Sequence, residues 1–375
     1  MDQRSSENAT TLPGRYYCAA DVFERETEQI FRGQWLCVAT ASRIPKTGDW
    51  VRVELEADSI LVIRAEDGRI QAFHNMCRHR GTRLCAEAGG HFKKFVVCPY
   101  HAWAYGLDGS LARAPHMEGV ECFNQEELGL VEIPTTLWEG QVFVNLGENP
   151  SPFEALLPAL INKFTRWNLP HLSSVHNTTY EIEANWKLVI QNYSECYHCP
   201  ALHPQLNRLT PFRDSSNDLT EGNVLGGPMH LSKNAHSMTM SGQTCGVPLG
   251  DLAGEELRDV HYYVLFPNMF LSLMPDYALV HRIHRLGVTR TRIECEWLFR
   301  NEAVQATGFD PSDAIEFWDV TNRQDWEVSE ESQKGIGSRA YRPGPYSNFE
   351  SMIAELDRTY LAQLAESTGE AQNDC

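Results

Sequence analysis

The chain has 375 residues, 22% charged and 42% hydrophobic, the balance of an ordinary globular protein long enough for two domains. Its formal net charge of −18 argues against a nucleic-acid partner and mildly favours cationic over anionic small molecules. The longest apolar candidate, Tyr262 to Met274, contains Pro267 and Asn268 and falls short of the roughly 20 residues of a membrane span.

The N-terminus, Met1-Asp2-Gln3-Arg4-Ser5-Ser6, has no apolar signal core, so a cytoplasmic location without membrane attachment is expected. Eleven cysteines in such a chain are expected to be thiols or metal ligands, not disulfides. Residues 1–40 read as an N-terminal arm with a short helix from Ala20 to Phe31. Residues 41–150 read as a β-rich module. Ser59 to Arg64 is a strand, Asp67-Gly68 a hairpin turn, and Arg69 to Met76 the return strand. Cys77-Arg78-His79 follows, and after eighteen further residues comes Cys98-Pro99-Tyr100-His101.

The second pair follows the apolar run Phe95-Val96-Val97 and precedes Trp103, Asp108-Gly109 and Ser110 to Ala112. Each pair is expected at the tip of a β-hairpin. Two cysteines and two histidines so arranged suit a [2Fe-2S] cluster of the Rieske type, with two thiolates on one iron and two imidazoles on the other. The alternative is a Cys2His2 zinc site, but zinc ligands are more often spaced C-x2-4-C and H-x3-5-H. Trp103 is expected to cover the cluster. Lys93-Lys94 is either a docking point for an acidic reductase or a solvated turn. Gln141 to Asn145 closes the module, and Asn149-Pro150-Ser151-Pro152 reads as a linker.

Residues 151–375 read as an α+β domain. Val175 to Ile182 is a predicted strand and Trp186 to Tyr197 a predicted helix. Residues 214–256, rich in Gly, Ser and Asn, are expected to form a mobile loop over the site. His261 to Phe270, Tyr277 to Arg285 and Thr291 to Phe299 alternate like strands. A long helix is predicted from Asp313 to Lys334, and Glu370 to Cys375 are expected to be disordered.

A second metal site is expected where Glu195-Cys196-Tyr197-His198 runs into Leu202-His203-Pro204. Five residues on a straight helix would turn His203 about 140° from His198. Pro200 breaks the helix and lets His203 swing back. Two histidines and one carboxylate on one face of an iron leave positions open for O2 and substrate. Helical spacing does not choose among Asp325, Asp319 and Asp313 for the carboxylate. Cys196-x-x-Cys199 reads as two buried free thiols, since no second CxxC accompanies it.

These motifs are similar to those of the Rieske non-haem iron oxygenases over nearly the whole chain. The shared features are Cys77-x-His79, Cys98-x2-His101, Glu195-x2-His198-x4-His203, Asn322-x-Gln324-Asp325, Ser237-Met238-Thr239-Met240 and the stretch Ser338 to Ser347. Glu195, where most such enzymes have Asp, makes the chain resemble the quaternary-amine branch, the glycine betaine, carnitine and choline monooxygenases. The glycine betaine enzymes are the most similar.

The resemblance implies an α+β architecture: an N-terminal all-β Rieske domain and a C-terminal helix-grip-type catalytic domain with an antiparallel sheet. It implies Asp325 as the third ligand to a mononuclear iron beside His198 and His203. It implies Glu195 as the electron bridge from the Rieske His101 of a neighbouring subunit to His198, hence a homotrimer. It also implies a separate flavin and iron-sulfur reductase fed by NAD(P)H.

The expected reaction is O2-dependent hydroxylation of an N-methyl group of a glycine betaine-like cation, which then loses formaldehyde. Hydroxylation of an aromatic ring, or of carnitine, choline or proline betaine, is the alternative. Tyr193, Tyr263, Phe266, Phe270 and Trp297 are candidates for an aromatic cage around the cation. Arg282 is a candidate partner for a substrate carboxylate.

Overall fold

The computed structural model describes residues 9–156 and 158–365; the expected disordered tail, Glu370 to Cys375, lies outside them. The chain divides into two compact units, residues 35–150 and residues 1–34 with 151–375. Residues 36–40, assigned to the arm from the sequence, belong instead to the first unit as a strand.

That first unit is all β. Its strand β1 (Leu36–Thr40) stands outside the main sheet, which has five antiparallel strands. These are β2 (Asp49–Leu55), β3 (Asp58–Arg64), β4 (Ile70–His74) and β5 (Gly89–His91), with Glu132–Ile133 at the edge. A smaller sheet holds β6 (Phe95–Val97), β7 (Ala104–Gly106) and β8 (Leu111–Arg113). The two sheets pack over one core that includes Trp50, Leu61, Phe73, Val96, Trp103 and Tyr105. In β2, buried Val51, Val53 and Leu55 alternate with the less buried Arg52 and Glu54. That alternation sets the register, since a slip of one residue would turn the core face to solvent.

The second unit is built on a six-stranded antiparallel sheet. Its strands are β9 (Leu172–Ile182), β10 (Val224–His230), β11 (Asp259–Leu265), β12 (Met269–Leu273), β13 (Ala278–Gly287) and β14 (Arg290–Arg300), in the order β9-β14-β13-β12-β11-β10. The single strand expected from His261 to Phe270 is therefore two, parted at Phe266-Pro267, where proline can offer no ladder N–H. The loop expected over 214–256 contains β10, and Ser237 and Thr239 within it are fully buried.

One long helix, Ser312–Ile336, crosses this sheet, with Trp318 Nε1 donating to Tyr277 Oη at 2.7 Å and Tyr180 donating to Asp319 at 2.7 Å. A shorter helix, Trp186–Tyr193, packs beside it, its end capped by the Asn185 side chain accepting the Lys187 N–H at 3.0 Å.

The N-terminal segment is tied to this unit by a buried charge cluster. Glu26 meets Lys187 at 2.5 Å and Arg285 at 3.1 Å, and accepts from Trp186 Nε1 and Tyr360 Oη. Burial pushes Lys187 down to about 8 against the attraction of Glu26. No helix among the described residues is long and apolar enough to cross a membrane.

Candidate metal centres and pocket

In the first unit, Cys77 and Cys98 are buried while His79 and His101 are exposed. The loop carrying Cys77 is closed by Cys77 N–H to Thr82 O at 2.8 Å and by Gly81 N–H to Cys77 O at 3.0 Å, with Gly81 at φ 72°, which an L side chain resists. The buried Asn75 amide pins the far end, donating to Cys85 O at 2.8 Å and accepting the Leu84 and Cys85 N–H groups.

The facing loop, residues 98–103, closes between β6 and β7 through Cys98 N–H to Trp103 O at 2.8 Å. The imidazoles of His79 and His101 lie 4.8 Å apart. Trp103 stacks flat on His79 at 4.9 Å and 7°, so it lies against one of the two imidazoles rather than over both loops. The four side chains fit a Rieske cluster, with a thiolate end in the core and an imidazole end at the surface. Met76 before the first loop, Phe95 and Val97 on β6 and Tyr100 in the second loop expose apolar surface, and Lys93 and Lys94 are exposed beside them.

Tyr105 bears on the cluster's electronics. Its hydroxyl accepts the Arg78 N–H at 3.0 Å, leaving its own hydrogen for Cys77 Sγ at 3.2 Å. A hydrogen bond to a cluster thiolate strengthens as the cluster gains an electron. Tyr105→Phe is expected to lower the reduction potential by about 40 mV, the one-electron equivalent of a bond worth about 1 kcal/mol. Spectroelectrochemical titration checks this, and an unchanged potential would show that the hydroxyl does not act on the sulfur.

The second unit brings His198, His203 and Asp325 together, with their ligand atoms all within 4.8 Å of one another. The helix expected to run to Tyr197 stops at Tyr193. Ser194 Oγ donates back to Ile190 O at 2.6 Å, and Glu195 accepts the N–H groups of Tyr197 and His198. These bonds compete with the helix and turn the chain away from it. Two short helices follow, Cys199–Leu202 and Pro204–Leu209, each with proline in its first turn. His198 and His203 thus flank the first of them, with rings 5.1 Å apart.

Cys196 and Cys199 are joined as a disulfide, not free thiols as expected. The turn that ends the helix brings their Cα atoms to 5.0 Å, within bridging range, a proximity that composition does not reveal.

The outer nitrogen of each histidine is engaged. His198 Nδ1 donates to Glu195 Oε1, and His203 Nδ1 donates to Gln324 Oε1 at 2.7 Å. Both Nε2 lone pairs then face Asp325 Oδ1, at 3.4 Å for His198 and 2.8 Å for His203. Three lone pairs pointed at one spot repel unless a cation lies among them, so the donor set fits a divalent metal with two histidines and one carboxylate.

The charges tell the same story. Burial opposes a charge on both groups. Yet the two facing imidazoles hold Asp325 below the usual carboxylate range, and Asp325 and Glu195 lift His198 to about 10, so a positive charge among these groups, proton or metal ion, is stabilised. The site favours positive charge at its centre. Asp319 instead meets Tyr180 and Arg323, and Asp313 meets Ser241, so neither converges on the histidines. Gln324, the orienting partner of His203, stands in the shared Asn322-x-Gln324-Asp325 stretch, but no role is expected for it from the sequence; its place next to Asp325 on the long helix is the available signal.

The pocket opening from His198, His203 and Asp325 encloses about 1090 Å3 including its mouth. Of the five aromatic candidates only Tyr193 lines it, stacked on Phe270 at 4.1 Å with its hydroxyl 2.6 Å from Ser272 Oγ. Phe270 thus stands behind Tyr193. Tyr263 turns to the other face and donates to Asp218 at 3.1 Å, Phe266 packs near Trp186, and Trp297 is buried against His176.

The aromatic walls are instead Tyr262 and Trp318 deep in the pocket and Tyr197, Phe212 and Phe349 nearer the surface. β10 comes close because Gly226, at φ 143°, has no Cβ; one would stand 2.0 Å from Tyr262 O. Arg282 is no pocket residue. It is fully buried and paired with Glu296 at 2.7 Å.

Comparison with known proteins agrees with this geometry. Residues 34–124 match the Rieske [2Fe-2S] domain, and residues 169–366 match the ring hydroxylating alpha subunit catalytic domain. The glycine betaine monooxygenase oxygenase subunit of Pseudomonas aeruginosa is 32% identical over 400 residues, covering 98% of this chain and 92% of its own. The carnitine monooxygenase oxygenase subunit of Escherichia coli is 31% identical over 353 residues, covering 90% of this chain and 87% of its own. Among solved structures, a quaternary ammonium Rieske monooxygenase described for carnitine oxidation and inter-subunit electron transfer aligns with a TM-score of 0.83 at 27% identity, covering 97% of this chain and 98% of its own. The chain belongs to the Rieske-type ring-hydroxylating oxygenases, as an alpha (oxygenase) subunit carrying a Rieske [2Fe-2S] cluster and a mononuclear iron.

Proposed function

We propose that this oxygenase hydroxylates an N-methyl group of a quaternary ammonium compound of the glycine betaine, carnitine or choline type. The observation that carries the reading is the pocket itself: aromatic walls from Tyr193, Tyr262 and Trp318 beside His198, His203 and Asp325. Electron-rich ring faces attract a tetraalkylammonium head by about 0.5–2 kcal/mol per contact. The likeness over nearly the full length to enzymes named for such substrates supports it.

Cys77 and Cys98 would hold one iron of the cluster, and His79 and His101 the other. His198, His203 and Asp325 would hold the mononuclear iron, which when bound supplies O2 activation with electrons relayed from the cluster. Glu195 and Gln324 keep the two imidazoles in the tautomer that leaves Nε2 free. The aromatic walls hold an N-methyl carbon toward the ligands and limit water. Once the methyl group is hydroxylated, the C–N bond breaks, its electron pair stays on nitrogen, and the hydroxyl proton leaves. The products are formaldehyde and the demethylated amine.

A separate reductase delivers electrons from NAD(P)H, and in a homotrimer His101 of the neighbouring subunit passes them to Glu195. The experiment is a single turnover without reductase: chemically reduced protein, O2, and glycine betaine, carnitine, choline, proline betaine or benzoate in parallel. Formaldehyde from a quaternary amine is expected. A reoxidised cluster with no formaldehyde from any amine, and hydroxylated benzoate, would replace this reading by aromatic ring hydroxylation.

A further inference from the structure

The pocket wall has a one-sided charge pattern. Among the described residues lining it, the formally charged groups are Glu195 and Asp325, and none is lysine or arginine. The less exposed cations around it are paired with acids of the fold. Arg282 pairs with Glu296, Lys187 and Arg285 with Glu26, and Lys163 with Asp218. Arg213 is exposed and sits 5.5 Å over the Phe212 ring. The two positive charges of an iron(II) ion at His198, His203 and Asp325 would be matched by the Asp325 and Glu195 carboxylates.

A carboxylate entering this pocket gives up water and meets no counter-charge, which is costly. With those two acids matched by the metal, a trimethylammonium head still meets the electron-rich ring faces of the wall. Resting on the quaternary-amine reading above, we infer that this pocket recognises the cationic head alone, and that a purely cationic substrate is preferred over a zwitterion of the same size. A substrate carboxylate therefore stays at the open mouth, and neutral or hydroxylated tails go inside. The substrate class is a carboxylate-free trimethylammonium compound.

The direct test compares glycine betaine with its amide, which replaces the carboxylate by a neutral group of nearly the same shape. Dissociation constants would be measured by calorimetry on the iron-loaded protein, alongside formaldehyde yield from each ligand. The amide is expected to bind at least tenfold tighter. Equal or tighter binding of glycine betaine overturns the inference while leaving N-demethylation standing. Failure of both ligands to bind overturns the inference, and the quaternary-amine reading falls with it only where carnitine, choline and proline betaine also give no formaldehyde.

Two variants sharpen the result. Asn217→Arg places a cation on the pocket wall and is expected to move the ratio at least fivefold toward glycine betaine. Arg213→Gln is expected to leave the ratio in place, and a tenfold selective loss of glycine betaine binding there would show that Arg213 does grip the carboxylate.

Discussion

His198→Ala is expected to leave the visible spectrum of the Rieske cluster intact while turnover falls below about a hundredth of the unmodified protein. Losing only the outer partner of a ligand costs roughly 10–100-fold, so losing the ligand costs more. The four residues proposed to hold the cluster belong to the other compact unit, which has its own core.

His198 is a cleaner target than His203. Its side chain is 21% exposed in a turn, against 2% for His203, whose two nitrogens are both held by the long helix. Alanine at His203 removes two polar contacts to the long helix as well as a proposed metal ligand. Metal analysis should show the mononuclear iron lost and the cluster irons retained. Asp319→Ala is the matched control, since that carboxylate serves Tyr180 and Arg323 and its loss should leave the iron in place. Loss of the cluster spectrum in His198→Ala would sink the two-site description.

The metal-binding chemistry is far more legible in the sequence than the pocket. Few side chain types bind iron, and Pro200 between His198 and His203 lets the chain return; the pair stands out as a candidate because the Cys77/His79 and Cys98/His101 motif upstream of it calls for an electron acceptor. Spacing does not separate Asp325 from Asp319, because both lie on one helix and only the third dimension shows which one faces the histidines.

The aromatic wall is hidden for a simpler reason. Tyr262 and Tyr263 are neighbours on a strand, and successive side chains point to opposite faces. Tyr263 lies on the wrong side of the sheet for the pocket, where it meets Asp218. The end of the helix at Tyr193 is equally hidden, because its cause is a set of local hydrogen bonds from Ser194 and Glu195, neither of which breaks a helix by type. Arg282 misleads for the opposite reason. A lone arginine in an apolar strand suggests a ligand, but Glu296 on the adjacent strand neutralises it.

Glu195 offers the second large effect, and its variants separate two roles. Its carboxylate accepts the Tyr197 and His198 N–H groups and the His198 Nδ1 hydrogen. It therefore shapes the turn that presents His198, and the relay of an electron from a neighbouring subunit is the second role proposed for it. Glu195→Ala removes both functions, whereas Glu195→Gln keeps an acceptor oxygen for the turn while discarding the charge that stabilises an imidazole proton.

Both variants are expected to retain the cluster, and Glu195→Gln to retain the mononuclear iron as well. If the carboxylate carries the relay, reoxidation of the reduced cluster by O2 and substrate, followed by stopped-flow absorbance, should slow roughly 10–100-fold in both. A purely local role gives a different pattern: Glu195→Ala loses iron and activity together, and Glu195→Gln restores both. Since the same proton on His198 Nδ1 answers to Glu195 in either case, the discriminating quantity is the reoxidation rate of a Glu195→Gln protein whose iron content is already shown to be full.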